Sequence, residues 1–236
     1  MNLDVAILSE RGPRSENEDS VISTTPAPDY ALVGVADGLG GHAGGRTASM
    51  FALKSLSEKI SIHPESSLAK IGLEIHSELK ALQLEDKAYR AMATTLSAAV
   101  FHEQQMRFVH CGDTRIAVCR DNGIRRLTTD HSEAQRFYDL GKLTKEQFDN
   151  YPRKNILDSA LGVKGTPRID EGVFQLSRND RVFITSDGFH NKFFIREIFA
   201  TSKRCSTASE FIEAVSFEMK SRSVDDNYSI ACAFVM

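Results

Sequence analysis

Aspartate recurs where apolar strands run into tight turns. Val33-Gly34-Val35-Ala36 leads into Asp37-Gly38, Val182-Phe183-Ile184-Thr185-Ser186 into Asp187-Gly188, and Phe108-Val109-His110-Cys111 into Gly112-Asp113. Asp226-Asn227 stands directly before the apolar stretch Tyr228–Val235, and Glu18-Asp19 directly before another β-rich stretch. Aspartate, asparagine and glycine favour turns by themselves, so any one of these positions alone reads more readily as a plain turn. Recurrence shifts that reading, because each carboxylate can project from a sheet edge and the set can converge. Two unit charges about 4 Å apart at an effective dielectric near 20 repel by about 4 kcal/mol. Converging anions therefore need cations among them. Oxygen-only donors select hard divalent ions, Mg2+, Mn2+ or Ca2+ rather than zinc. Two such ions sharing one carboxylate would activate a bridging water and clamp the oxygens of a phosphoryl group.

Other residues fit around such a site. Gly38-Leu39-Gly40-Gly41-His42-Ala43-Gly44-Gly45 follows Asp37 and opens a helical stretch. Its glycines let the backbone approach a ligand closely, and a helix N-terminus favours anions. It is neither a P-loop nor a dinucleotide fingerprint. His42 in this polar loop reads as exposed and functional, since an imidazole beside a metal–water site can protonate a leaving alkoxide. Arg14 reads on spacing alone as a surface charge, yet its planar guanidinium would suit bidentate capture of a phosphate. Thr94 and Thr95 either order the site from behind or reflect plain β-propensity, and spacing leaves both readings open. His63, His76, His102, His110, His131 and His190 show no ligand spacing and read as structural or surface residues. Of these, His190 is close enough behind Asp187 to line a cleft. Cys111, Cys119, Cys205 and Cys232 form no C-x-x-C pair and no zinc-finger spacing. They read as small core residues in a reducing, cytoplasmic setting.

The elements that must hold these residues are strands first. Apolar runs predict strands at Val5–Leu8, Val21–Thr25 and Ala31–Ala36. Thr47–Ile60 and Ser67–Leu84 then carry apolar residues at helical spacing. Strands return at Thr94–His102, Arg107–Cys111 and Arg115–Arg120, the last turning through Asp121-Asn122-Gly123 into Ile124–Leu127. Arg181–Thr185 and Tyr228–Val235 follow, separated by a helix that a Thr207-x-x-Glu210 capping box opens. Strands in series around an inserted helix pair predict an α+β protein with an antiparallel sheet core. Ser132–Asp170 stands apart, with a second capping box at Thr144-x-x-Gln147, and reads as a functional flap. Its seven basic and six acidic residues nearly cancel, so it predicts no charge preference for a target.

Bulk composition adds exclusions. With 236 residues, 41% hydrophobic and 26% charged, the chain is globular rather than disordered, collagenous or coiled-coil. Lysine plus arginine number 29 against 32 acids, for a formal charge of −3. That balance argues against gripping nucleic acid or an anionic membrane. No apolar run approaches the ~20 residues of a membrane span, and the N-terminus lacks the basic start and long apolar stretch of a secretory signal.

Taken together, seven stretches in order resemble the metal-dependent serine/threonine protein phosphatases of type 2C, in their compact bacterial form. They are Arg14-Ser-Glu-Asn-Glu18-Asp19, Val35-Ala-Asp37-Gly38-Leu-Gly-Gly-His42-Ala-Gly-Gly, Ala93-Thr-Thr-Leu and Gly112-Asp113-Thr-Arg115, then Leu127-Thr-Thr-Asp130-His131-Ser132, Thr185-Ser-Asp187-Gly188 and Asp226-Asn227. The resemblance implies a central antiparallel β-sandwich flanked by helix layers, α-β-β-α, with a binuclear centre at one end. It implies that Asp37 bridges two ions, that Asp187 and Asp226 complete one, and that the Gly38 carbonyl with Glu18 faces the other. By the same resemblance Asp113 with Asp187 would hold a third ion, Arg14 would bind the substrate phosphate and His42 would be the general acid. Ala93 departs from the glycine many relatives carry, and Phe189-His190 from a more usual leucine; neither removes a ligand.

The reading is a phosphoprotein phosphatase, one catalytic domain over residues 1–236 with a flap over about 132–170. It would hydrolyse phosphoserine and phosphothreonine with Mn2+ or Mg2+ and a metal-bridging hydroxide. It would act as a cytoplasmic signalling monomer opposite a serine/threonine kinase, with no nucleic-acid or membrane partner. Two alternatives remain: a non-catalytic phosphoprotein-binding module of the same fold, and a metal-dependent hydrolase of nucleotides.

Overall fold

Alternation along the strands decides which way each side chain faces. In β3 (Tyr30–Ala36) Val33 and Val35 point to one side and Leu32 and Ala36 to the other, and all four are buried. All eight residues of β12 (Tyr228–Val235) are buried. Strands apolar on both faces belong in the middle of layers, and that is where these two lie. The computed structural model describes residues 2–40 and 43–236. One five-stranded sheet runs β1-β12-β11-β8-β9, with β1 at Leu3–Glu10, β8 at Arg115–Arg120, β9 at Gly123–Arg126 and β11 at Arg181–Thr185. The second runs β10-β7-β6-β3-β2, with β2 at Ser20–Ala27, β6 at Leu96–His102, β7 at Gln105–Cys111 and β10 at Asp170–Gln175. Neighbouring strands are antiparallel throughout both sheets.

Val33, Val35 and Phe101 from one sheet meet Val118, Ile184 and Ala233 from the other in a shared core. Outside the second sheet lie α1 (Ala43–Ile62) and α2 (Leu68–Glu85), packed through Leu56, Ile60, Ile75 and Leu79. Outside the first lie α5 (Asp187–His190), α6 (Ile195–Arg204) and α7 (Ala208–Met219), packed through Phe189, Ile198 and Phe211 against Phe183. The architecture is therefore the expected helix–sheet–sheet–helix stack. No helix among the described residues is long and apolar enough to cross a membrane.

Several local expectations needed adjustment. The stretch Thr94–His102 is interrupted at Thr95: Ala93–Thr94 forms β5, paired with β4 (Gly38–Leu39), before β6 begins. The break turns Thr95 towards Asp37. Thr144 and Gln147 make both halves of a capping box ahead of α4 (Lys145–Asp149). At Thr207 only one half forms, because the Glu210 carboxylate accepts from the Ser206 N–H at 2.7 Å instead of that of Thr207. The 132–170 segment comprises α3 (Glu133–Asp139) and α4, closed at its base by Ser132 bridging Leu157 and tied to β5 through Leu161 and Thr94.

Gly112 shows how tightly the strand ends are fitted. Its φ of +109° lies where side chains are rarely found, and a Cβ there would sit 2.6 Å from Thr95 Cγ2. Gly112→Ala is expected to lower stability by about 2 kcal/mol, and to displace Asp113. Thermal unfolding of the variant checks this, and an unchanged midpoint would show the turn to be pliable.

Candidate metal centre

Register places the chemistry. In the first sheet Thr185 at the end of β11 pairs with Arg115 at the start of β8 and Ile230 near the start of β12. In the second, Val35 near the end of β3 lies opposite Ser97, which lies opposite His110 near the end of β7. Asp37, Asp113, Asp187 and Asp226 thus leave strand ends at one end of the sandwich. Each backbone is pinned there. The Asp37 N–H donates to Thr95 Oγ1 at 2.8 Å, and its carbonyl accepts from the Thr95 N–H at 2.9 Å and the Thr94 hydroxyl at 3.0 Å. The two threonines therefore order the site from behind. Ser186, just before Asp187, exchanges two bonds with Ser229, at 3.0 and 2.9 Å.

Asn227 ties the farthest segments together, a role not singled out from sequence. Its Oδ1 accepts from the Glu18 N–H at 2.9 Å, and its Nδ2 donates to the carbonyls of Arg11 at 2.7 Å and Glu16 at 2.9 Å. The loop carrying Arg14, Glu18 and Asp19 is so fixed to the start of β12. The Gly38 N–H in turn donates to the Glu18 carbonyl at 3.2 Å. A Cβ at Gly38 would strike that same carbonyl at 2.7 Å, so glycine alone permits this approach.

The expected convergence is visible in the charges. Burial pushes the Asp37 carboxyl well above the usual aspartate range, and Asp19, Asp187, Asp113 and Asp226 add repulsion. Burial does the same to Asp113, with Asp187 and Asp130 adding to it and Arg115 opposing. Asp187 is raised by burial and by Asp226, although a hydrogen bond with Asp37 partly offsets this. Burial lifts Asp19 to about 7 against the hydroxyls of Ser229 and Ser186. Five aspartates face one another across one small volume.

The donors suit hard divalent ions. Every side-chain ligand offered is a carboxylate oxygen, and backbone carbonyls stand beside them, which excludes a soft or zinc-type site. Asp19 Oδ2 is one of two buried polar side-chain atoms without a hydrogen-bond partner among the described residues. An uncompensated buried carboxylate oxygen is costly unless a cation or ordered water answers it. Among the described residues no group of three or more His, Cys, Asp or Glu side chains is arranged to hold an ion.

The remaining candidates fall into place unevenly. Arg14 is exposed, and its Nη2 donates to Asp226 Oδ2 at 2.8 Å while Nε reaches the Asp225 carbonyl at 3.2 Å. It stands at the rim of the acid cluster, tied to one of its members. His42 lies outside the described residues. His190 is buried beneath the cleft, its Nδ1 3.1 Å from Thr185 Oγ1, and burial with nearby Arg115 and Arg126 holds it neutral. The four cysteines are free and buried, as expected of core residues.

One functional pair escaped the sequence reading. Arg115 grips Asp130 bidentately, at 3.0 and 2.6 Å, and Arg126 reaches the same carboxylate at 3.3 Å. The stretches Gly112–Arg115 and Leu127–Ser132 named both residues but not that they pair, 15 positions apart. A cleft of about 600 Å3 adjoins this pair, lined by Asp113 and Asp187 together with Lys145, Phe148 and Lys154.

Comparison with known proteins agrees with this geometry. Residues 11–221 match the family Protein phosphatase 2C. The serine/threonine phosphatase stp of Listeria monocytogenes is 31% identical over 225 residues, covering 92% of this chain and 89% of that protein. The Streptococcus agalactiae serine/threonine phosphatase superposes with a TM-score of 0.90 at 26% identity, covering all of both chains. The catalytic domain of the serine/threonine protein phosphatase PstP, solved with two manganese ions, superposes at 0.83 with 26% identity over 99% of each chain. A five-aspartate cluster on this sandwich, and a match across most of the sequence, lead to one assignment: the chain belongs to the protein phosphatase 2C family.

Proposed function

We propose that the chain hydrolyses phosphoserine and phosphothreonine monoesters on proteins, using two Mn2+ or Mg2+ ions held by the aspartate cluster. The observation that carries this reading is the mutual repulsion of Asp19, Asp37, Asp113, Asp187 and Asp226 at one sandwich end. Asp37 lies at the centre of that set and would be shared between the ions. Asp187 and Asp226 would complete one, and the Gly38 carbonyl and Glu18 would serve the other, with Asp113 and Asp187 available to a third. Bound there, the ions would supply an activated water at neutral pH and offset charge on the phosphoryl oxygens.

The chain's own residues do the rest. Arg14 orients the phosphate from the rim, where its fork-shaped donor set suits two phosphoryl oxygens. Thr94, Thr95 and Asn227 hold the acid-bearing backbone still, so little reorganisation accompanies the reaction. His42 remains the proposed proton donor to the leaving serine or threonine oxygen. The 132–170 segment would act as a flap that meets the substrate protein opposite Asp113 and Asp187. A cytoplasmic monomer opposing a serine/threonine kinase completes the proposal.

Phosphopeptides carrying phosphoserine or phosphothreonine test it. Turnover is expected to vanish in excess chelator and return with Mn2+ or Mg2+. Arg14→Ala is expected to raise KM about tenfold, with a smaller change in kcat, as loss of a ground-state phosphate contact would. Undiminished turnover in chelator would overturn the proposal. Phosphopeptide binding without turnover would favour a non-catalytic module.

A further inference from the structure

A partly open cavity of about 170 Å3 lies at the outer face of the first sheet, beside the cleft. Register explains it. Ala117 pairs with Phe183 on one side and Arg126 on the other, and Arg115 pairs with Thr185, so their side chains share one face. The start of α6 covers that face with Phe194, Ile195 and Ile198, and the small Ala117 leaves a hole beneath it. The lining is mostly apolar.

Two features set it apart from a packing defect. First, Arg115, Arg126, His190 and Phe194 wall both this cavity and the cleft lined by Asp113 and Asp187, so the two spaces adjoin. Second, its mouth carries apolar side chains left in solvent: Phe194 is 52% exposed and Ile195 40%. The charges at the mouth are already answered in part. Arg115 and Arg126 both turn to Asp130, at 2.6 and 3.3 Å, which engages both guanidinium groups and offsets part of their charge. An apolar hole of about 150 Å3 stays dry and accepts a benzene-sized group.

We infer that this cavity is a specificity subsite for one apolar side chain of the phosphoprotein substrate, near the phosphorylated residue. The inference rests on the phosphatase reading above. The occupant is a leucine, isoleucine, methionine or phenylalanine of the same polypeptide whose phosphate enters the acid cluster. Adjacency to the cleft favours the substrate itself over a separate small molecule. The phosphate provides reactivity, and the buried side chain selects the sequence around it.

A phosphoserine peptide series tests this, with leucine, alanine or glutamate placed in turn at each position flanking the phosphoresidue. The wild-type enzyme with Mn2+ is expected to prefer leucine over alanine in kcat/KM by about tenfold or more at one position. Ala117→Leu fills the hole from its floor and is expected to erase that preference, while hydrolysis of p-nitrophenyl phosphate and the unfolding temperature stay near wild type. Phe194→Ala, which removes the mouth, is expected to weaken the preference independently should Ala117→Leu fold poorly. Equal rates for leucine and alanine peptides at every position would overturn the inference and leave the phosphatase reading intact. So would a preference that survives in Ala117→Leu, or a preference for glutamate. Absence of turnover of any phosphopeptide or of p-nitrophenyl phosphate would overturn both.

Discussion

Asp37→Asn is expected to reduce turnover about a thousandfold or more while making the ion-free protein harder to unfold. The first half follows from its position. Asp37 faces four other aspartates and is the member best placed to be shared between two ions, and losing it removes electrostatic stabilisation that no neighbour can replace. The second half follows from repulsion. Asparagine cannot ionise, so as pH rises the folded state is spared the charge that Asp37 would set against Asp19, Asp187 and Asp113, at no cost in side-chain volume.

The sign with pH can be worked out. A carboxyl raised in the folded state binds protons there at pH values where the unfolded chain has lost them, so stability falls as pH rises through that window. For Asp19 the window runs from 3.8 to about 7, and Asp37 and Asp113 extend it upward. Buried histidines act oppositely below their unfolded value of 6.5: His110 is pushed down to about 3, and His131 and His190 are also lowered, by burial first. The acids alone therefore govern the slope above pH 6.5. In chelator the wild-type unfolding temperature is expected to fall across that range, and in Mn2+ to level off. Asp37→Asn should flatten the chelator curve and respond little to Mn2+. A wild-type curve that is flat in chelator would mean the acids do not repel as described.

Asp130→Asn is expected to cost about 3–5 kcal/mol, the range for removing one partner of a buried ion pair. Asp130 is only 6% exposed, and its loss strands two guanidinium groups. For a chain of this size that is roughly 6–20 °C in unfolding temperature. Burial alone would raise the Asp130 carboxyl, but the hydrogen bonds and charge of Arg115, with Arg126, hold it below the ordinary aspartate range. The pair's contribution is thus complete above the unfolded pKa near 4 and is lost only as pH falls through the folded value. The deficit of the variant should consequently be constant from pH 5 to 8, unlike the sloping effect at Asp37. A loss smaller than 2 °C would show the pair to be dispensable.

The two sites also mark what the sequence made legible. Asp37, Asp113, Asp187 and Asp226 could be found because each interrupts a strand pattern, and alternation is a local signal that survives without tertiary information. Convergence was an inference from recurrence, and the charge interactions among these acids support it. Asp130 with Arg115, and Asn227 with Arg11, Glu16 and Glu18, could not be read, since each bond joins loops whose proximity only the closed sandwich creates. β10 was missed because its exposed and half-buried residues alternate around a polar sequence, with Val173 and Phe174 its only large apolar residues. α6 was missed because its N-cap is Phe194, whose N–H is met by the Glu197 carboxylate at 2.7 Å, with no serine or threonine to announce it.

Pairing of β1 with β12, from Leu3 opposite Val235 to Glu10 opposite Tyr228, has a consequence for how the molecule comes together. β1 lies at the edge of its sheet with β12 as its only partner there. Within its sheet β1 therefore cannot pair until β12 is in place. Docking of β12 is what brings Asp226 and Asn227 to the other acids, and Asn227 then adds its ties to Arg11, Glu16 and Glu18 in the loop that bears Arg14. Contacts this distant in sequence slow the search, and divalent ions present at that step would draw the strand home.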